Sequence, residues 1–175
     1  YVTGTIGDAA LGLRLHAGAA PDKEWTQGLA QADAAYLASR YLLPQPRLGL
    51  REALHANAHA AMDISDGLAG DLAKILRLTG MTAEVMTADV PLSKAARTLV
   101  SLSPALIETV VTGGDDYELL CAVPPAHSAS FEARAKAAGI EVHPIGTAKP
   151  GSGPPLFKDR KGENLIFRQP SFRHF

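Results

Sequence analysis

The fold is decided by the stretch Ala60-Ala61-Met62-Asp63-Ile64-Ser65-Asp66-Gly67-Leu68-Ala69-Gly70-Asp71-Leu72. Its first five residues predict a buried strand, because a short apolar run bounded by turn residues is typical of one. From Leu68 onward the apolar residues recur at helical spacing, which predicts a helix that Gly80 ends. Asp66 is the expected N-cap, since its carboxylate can accept a hydrogen bond from an early helical N–H.

The polar residues at this junction have two interpretations. Ser65, Asp66 and Gly67 form an ordinary turn and cap, which explains them structurally. Asp63 is not explained by capping, and a carboxylate that follows an apolar strand is costly to bury unpaired. A cation that bridges Asp63 and Asp66 is therefore a serious alternative. In sheets flanked by helices, the carboxyl end of a strand is also where ligands commonly bind.

Composition limits the class of protein. The chain has 175 residues, 46% of them hydrophobic, and a formal net charge of −1. This length predicts one domain, residues 1–175, with a core of ordinary size. The charge excludes the strong positive field of a general nucleic-acid binder, so we expect small molecules or proteins as partners. No apolar run approaches the roughly 18 residues of a membrane span.

Two features of the sequence indicate the cellular location of the chain and its place in a larger protein. Cys121 is the single cysteine, so we expect no disulfide framework and a cytoplasmic location. The first residue is Tyr1 and residues 1–5 are already strand-like. We therefore expect the chain to begin inside a larger protein.

Helices and strands alternate along the rest of the chain. The pattern predicts further helices over residues 9–15, 27–43, 48–58, 91–102, 104–109 and 128–138. It predicts strands over residues 1–6, 82–86 and 141–145 and a terminal hairpin over residues 156–167. His55 and His59 are four residues apart, but without an accompanying Glu they do not form a zinc-protease pattern, so we expect no metal there.

A second polar cluster lies within residues 110–123. Two strand-like pieces flank Gly113 and Gly114 and a group of three acids, Asp115, Asp116 and Glu118. The acids belong either to a solvated turn or to a site beside the core. The residues alone favour neither interpretation.

Three motifs carry a resemblance to a known family: Tyr1-Val2-Thr3-Gly4-Thr5-Ile6-Gly7-Asp8, Met62-Asp63-Ile64-Ser65-Asp66-Gly67-Leu68 and Gly113-Gly114-Asp115-Asp116-Tyr117-Glu118-Leu119-Leu120. Together with a tail that ends in His174-Phe175, they resemble the carboxyl-terminal domain of thiamine-monophosphate kinases. These enzymes belong to the aminoimidazole-ribonucleotide-synthetase-like superfamily. The resemblance covers nearly the whole chain.

The resemblance implies an α+β fold, a mixed β-sheet with helices packed on it in a three-layer α-β-α arrangement, as the carboxyl-terminal domain of a two-domain enzyme. It implies ATP-dependent phosphorylation of thiamine monophosphate to thiamine diphosphate, with magnesium, in a homodimer. Asp63 and Asp66 would bind Mg2+, and Ser65 would contact ATP. Asp115 and Phe172 would contact the thiamine substrate. No residue of this chain is assigned a catalytic role.

The chain departs from the family pattern in three respects. The family usually has Glu where this chain has Asp115, and Tyr or Trp where it has Phe172. The acid-rich motif of the family's amino-terminal domain, of the type Gly-Asp-Asp-Ala-Ala, is absent from these 175 residues. Two carboxylates are too few to hold magnesium against water. We therefore expect these residues to fold but not to catalyse phosphoryl transfer alone.

Two other functions remain open. One is a sister enzyme of the superfamily that acts on another phosphorylated or carboxylated substrate, against which the acidic segment 113–118 argues. The other is a non-catalytic binding or dimerisation module, which the missing amino-terminal half favours.

Overall fold

A computed structural model describes residues 1–16, 28–169 and 171 and confirms the α+β class. The helices are α1 Asp8–His16, α2 Gln31–Leu42, α3 Arg51–Asn57, α4 Leu68–Thr79, α5 Lys94–Leu102, α6 Leu106–Thr112 and α7 Ser128–Ala137. The strands are β1 Val2–Thr3, β2 Ala60–Asp63, β3 Met81–Met86, β4 Leu119–Ala122, β5 Val142–His143, β6 Gly146–Pro150 and β7 Leu156–Lys158. Short 3-10 helices precede α3 at Leu48–Leu50 and α7 at Pro125–His127.

The described strands form two sheets. The first has the order β2-β4-β1-β5, and all its pairings are antiparallel. Val2 pairs with Leu120 on one side and with His143 on the other, so the first strand of the chain lies inside the sheet. The second sheet has the order β6-β3-β7 and is mixed, because β3 runs antiparallel to β6 and parallel to β7.

Helices cover both faces of the first sheet. Leu120 belongs to the main core cluster, which includes side chains of α1, α4, α5 and α6. The next residue, Cys121, faces the opposite side, as successive residues of a strand do. There it joins a smaller cluster with Ala53 of α3 and Phe131 of α7. This arrangement agrees with the expected α-β-α layering.

Strand β2 differs from the prediction of a buried strand. It is an edge strand of its sheet, and both Ala61 and Asp63 are exposed. Ala61 pairs with the buried Cys121, so the helix layer that covers β4 does not extend over β2. Burial begins at Ile64, where the chain leaves the strand.

The start of α4 also differs from the prediction. The helix begins at Leu68 with Gly67 as its N-cap, at φ 101°, a conformation that L side chains rarely adopt. Asp66 is therefore not the cap. Asp71, in the first turn of the helix, holds the preceding turn instead, since its Oδ2 accepts hydrogen bonds from the N–H of Ser65 at 3.0 Å and of Asp66 at 2.9 Å.

The end of α4 was predicted more accurately than its start, and one strand prediction was wrong. Gly80 ends α4 in the left-handed conformation, and Ser93 caps α5 through its hydroxyl, which accepts from the N–H of Ala96 at 3.0 Å. Val110 and Val111, which are β-branched, lie in α6 rather than in a strand. Both are fully buried in the main core, so packing outweighs their intrinsic preference.

Candidate functional site

The two polar motifs lie side by side. The N–H of Asp115 donates to the carbonyl oxygen of Ser65 at 2.9 Å, and that of Tyr117 to Ile64 at 2.9 Å. The N–H of Ile64 donates in return to the carbonyl oxygen of Glu118 at 2.8 Å. Residues 63–66 and 113–118 are therefore hydrogen-bonded side by side, and we take these two segments as the candidate site.

The backbone of this site is tightly packed and strained. A Cβ added at Gly114 would lie 2.2 Å from the carbonyl oxygen of Ser65, so only glycine fits there. Asp115 and Tyr117 both have positive φ, at 71° and 51°, although neither is glycine. Such conformations cost on the order of 1 kcal/mol or more and concentrate at functional sites.

Asp116 is a structural acid. Its side chain is buried, and its two oxygens accept hydrogen bonds from the N–H of Gly7 at 2.6 Å and of Ala9 at 3.1 Å. It thus anchors the start of α1 to segment 113–118. Burial raises the pKa of Asp116 to about 8, and the two backbone hydrogen bonds oppose that rise.

Glu118 is the second structural acid, and no part of its side chain is exposed. It accepts hydrogen bonds from Thr3 Oγ1 at 2.6 Å, from Arg40 at 2.9 Å and from Arg47 Nε at 2.7 Å. Two guanidinium groups and a hydroxyl thus surround this carboxylate. The interpretation of the acids as a solvated turn therefore fails for both Asp116 and Glu118, since each is buried with partners distant in sequence.

The predicted metal ligand Asp63 lies at the carboxyl end of β2, as expected, but it is exposed. Among the described residues its carboxylate has no hydrogen-bonding or ion-pair partner. The burial of Asp63, which made a bridging cation a serious alternative, was therefore wrongly predicted, and its role as a metal ligand stays a prediction. Its carboxylate is instead open to solvent and to a ligand.

Asp66 already has a cationic neighbour. The ammonium of Lys74 donates to Asp66 Oδ2 and, at 2.7 Å, to Asp71 Oδ1. Hydrogen bonds to these two carboxylates raise the pKa of Lys74. The sequence analysis did not identify Lys74 as part of the site. Its position three residues after Asp71 on one helix face is the signal that places it beside that acid.

The side chains fit part of a magnesium site. Carboxylate oxygens are the donors that Mg2+ prefers, and Asp66 binds a positive charge in this structure. Within residues 1–16, 28–169 and 171, no three His, Cys, Asp or Glu side chains are grouped closely enough to hold a metal ion. The described residues therefore supply at most part of a coordination shell.

The remaining predicted site residues are Ser65, Asp115 and Phe172. The hydroxyl of Ser65 makes no hydrogen bond to a described residue, although its N–H is held by Asp71. The Asp115 side chain is half-buried beside Ser65. Phe172 lies outside the described residues.

A groove of about 1320 Å³ lies elsewhere on the molecule. Its walls include Tyr36, Pro91, Arg97 and His143, and among the described site residues Asp63, Ser65, Asp66 and Asp115 do not line it. These four residues therefore lie outside this groove. In the described part of the chain no helix is long and apolar enough to cross a membrane.

Known proteins resemble this chain over most of its length. Thiamine-monophosphate kinase of Caulobacter vibrioides is 39% identical over 155 residues, which are 87% of this chain and 41% of that protein. The crystal structure of thiamine-monophosphate kinase from Stenotrophomonas maltophilia has a TM-score of 0.77 at 33% identity and covers 94% of this chain and 50% of that one. AaThiL complexed with AMPPCP and TMP has a TM-score of 0.76 at 26% identity, over 99% of this chain and 50% of that one.

These matches confirm the resemblance found in the sequence. They also show that the chain spans about half the length of the relatives it matches. The family described as AIR synthase related protein, C-terminal domain, matches residues 1–157. The chain therefore belongs to the carboxyl-terminal domain family of the AIR synthase related proteins.

Proposed function

We propose that this chain is the carboxyl-terminal part of a kinase that transfers the γ-phosphoryl group of ATP to thiamine monophosphate, giving thiamine diphosphate. The observation that carries the proposal is the hydrogen-bonded pairing of segment 63–66 with segment 113–118. This pairing brings the residues proposed for nucleotide and metal next to one proposed for the second substrate. Similarity to enzymes named thiamine-monophosphate kinase supports the choice of substrates.

At the nucleotide end, we assign Asp63 and Asp66 to magnesium and Ser65 to ATP. Bound magnesium would neutralise the phosphate charge that two carboxylates would otherwise repel. Asp63 at the end of β2 and Asp66 in the turn that follows would bind the ion. The hydroxyl of Ser65, which makes no hydrogen bond to a described residue, would donate to a phosphate oxygen. Asp71 would keep these groups in place, because it holds the backbone N–H of both Ser65 and Asp66.

At the substrate end, we assign Asp115 and Phe172 to thiamine monophosphate. Thiamine contains a cationic thiazolium, which a carboxylate attracts and an aromatic face stabilises by roughly 0.5 to 2 kcal/mol. Asp115 is one methylene shorter than the Glu usual in the family, so its reach is shorter. Phe172 keeps the aromatic ring of the usual Tyr or Trp but lacks their polar group.

The remaining parts of the proposal concern the protein around this chain. We propose that residues 1–175 form one domain and that an amino-terminal domain supplies the rest of the magnesium shell. The extent of the match, about half of each relative, supports this division. A homodimer and a cytoplasmic location, where ATP is available, complete the proposal.

The test compares the 175-residue fragment with the full gene product. Each is purified and supplied with ATP, Mg2+ and thiamine monophosphate, and thiamine diphosphate is measured by chromatography. We expect product from the full gene product only, together with cooperative thermal unfolding of the fragment. Turnover by the fragment, with contamination excluded, would contradict the division of the site between two domains.

The same assay separates the two other functions. A full gene product that turns over ATP with another phosphorylated or carboxylated substrate, but not with thiamine monophosphate, would be a sister enzyme. A full gene product without turnover for any such substrate would indicate a binding or dimerisation module.

A further inference from the structure

Lys74 links two carboxylates of the candidate site that differ in their surroundings. Its ammonium contacts Asp71, whose side chain is fully buried, and Asp66, whose side chain is 32% exposed. Lys74 itself lies on α4, and its side chain is 43% exposed. The ammonium therefore has one buried partner and one that solvent and ligands can reach.

The buried partner is fixed by other bonds. Asp71 Oδ2 accepts two backbone hydrogen bonds, from Ser65 and Asp66, while its Oδ1 accepts from Lys74 at 2.7 Å. Asp71 thus keeps its position whether or not Lys74 also contacts Asp66. The contact between Lys74 and Asp66 can break without disrupting the turn that holds Ser65 and Asp66.

A divalent cation at Asp66 would compete with this ammonium. Both are cations that need the same carboxylate, and two positive charges in adjacent positions repel each other. Exposed ion pairs are weak, so the ammonium is displaceable. After displacement, Lys74 retains Asp71 as a partner, which keeps its charge close to the ion.

We propose that Lys74 is a built-in counter-ion that neutralises Asp66 when no divalent cation is bound, and that it thereby weakens the affinity of this site for the cation. This inference rests on the proposed function, in which Asp66 is a magnesium ligand. Removal of the charge at residue 74 should tighten cation binding by up to roughly fivefold, as expected when the cation no longer has to displace an exposed ion pair.

The test measures cation binding without turnover. Mn2+ serves as the probe for Mg2+, and free Mn2+ is measured by electron paramagnetic resonance in the full gene product without nucleotide. Lys74→Gln and Lys74→Met both remove the charge, so the test still holds if one variant fails to fold. Lys74→Arg keeps the charge and should bind as wild type does.

A matched control is Lys94→Gln. Lys94 also pairs with an aspartate on another helix, Asp33 at 3.4 Å, and its side chain is 80% exposed. Neither residue belongs to the candidate site, so the control should bind Mn2+ with unchanged affinity. Unchanged or weaker binding in both neutral Lys74 variants would overturn the proposal.

Asp66→Asn distinguishes failure of this inference from failure of the proposed function. Loss of a direct ligand should weaken Mn2+ binding at least about tenfold, the lower range for loss of even an outer-shell partner. In the Asp66→Asn background, Lys74→Gln should then have no further effect. If Asp66→Asn and Asp63→Asn both leave Mn2+ binding unchanged, the metal assignment itself is wrong, and the role of Lys74 falls with it.

Discussion

The N–H of Asp115 donates a hydrogen bond to the carbonyl oxygen of Ser65 at 2.9 Å, although the two residues are 50 positions apart in the chain. This bond joins the loop after α6 to the turn before α4. It depends on the close approach at Gly114, whose added Cβ would lie 2.2 Å from the same oxygen. The two halves of the candidate site therefore share one backbone contact.

Gly114→Ala should separate the two segments. We expect a loss of about 1 to 3 kcal/mol in the free energy of unfolding, the usual cost of overpacking, measured by urea denaturation. Gly49→Ala is the control, because its Cβ would meet Ile140 at 3.4 Å, an ordinary contact. Equal stability of both variants would show that the backbone at residue 114 adjusts freely.

Asp63→Asn should reduce turnover of the full gene product far more than its stability. The exposed carboxylate has no partner among the described residues, so its loss removes no protein contact there. We expect a decrease in kcat of on the order of a hundredfold, as when one group that stabilises transition-state charge is deleted. Asp89→Asn, an exposed acid outside the site, should leave kcat unchanged. Wild-type turnover by Asp63→Asn at ordinary magnesium would refute the assignment.

Asp71 should contribute more to stability than Asp66. Asp71→Ala leaves two backbone N–H groups without their acceptor at the start of α4, which we expect to cost about 2 to 3 kcal/mol. Asp66→Ala breaks only a partly exposed ion pair with Lys74, which we expect to cost less than about 1 kcal/mol. Thermal and urea unfolding of both variants give the comparison. The reverse order would show that the hydrogen bonds of Asp71 to the backbone of Ser65 and Asp66 contribute less to stability than the ion pair of Asp66 does.

Glu118→Gln should destabilise the protein strongly. The substitution leaves the guanidinium groups of Arg40 and Arg47 without a buried counter-charge, which typically costs about 3 to 5 kcal/mol. Glu132→Gln provides the control, because Glu132 is exposed and, among the described residues, accepts a hydrogen bond only from the hydroxyl of Tyr1, so we expect a change within about 0.5 kcal/mol. A small effect at residue 118 would mean that solvent reaches the arginines once the charge is removed.

Asp116 should make stability fall as the pH rises. Its pKa is about 8 in the folded state against 3.8 as its ordinary value, so the folded protein binds this proton more tightly than the unfolded chain does. Between these values the free energy of unfolding should decrease by at most about 1.4 kcal/mol per pH unit. Urea unfolding from about pH 5.5 to about pH 7.5 measures this slope. Asp116→Asn, which has no proton to lose, should show a smaller slope, and an unchanged slope would assign the effect to another group.

Local sequence patterns correctly predicted the helices and strands that depend mainly on residues close to one another in the chain. The apolar spacing from Leu68 and the stop at Gly80 define α4 almost to the residue, whereas α5, predicted over residues 91–102, begins only at Lys94 with Ser93 as its cap. Asp66 was wrongly predicted as the cap of α4, because a carboxylate just before a helix has the chemistry of a cap. The structure has Gly67 there instead, at positive φ and so close to Thr112 that an added Cβ would lie 2.5 Å from its carbonyl oxygen.

Features that depend on distant partners were not predictable in this way. The burial of Glu118 requires Thr3, Arg40 and Arg47, and none of them is near it in sequence. Asp63 is exposed because β2 is an edge strand of its sheet. The order of apolar and polar residues within β2 does not show whether the strand lies at the edge or in the middle of a sheet. The roles of Asp63, Ser65, Asp66, Asp115 and Phe172 stay predictions, and the experiments above address those of Asp63 and Asp66.

The interior position of β1 has a consequence for synthesis of the protein on the ribosome. Val2 is made at the beginning of this segment, yet its partners are Leu120 and His143. At about 5 to 20 residues per second, the first strand waits roughly 6 to 24 s for β4 and longer for β5. During this interval the backbone of β1 and the apolar side chain of Val2 are without their sheet partners, so a nascent chain halted before residue 119 should need a chaperone to remain unaggregated.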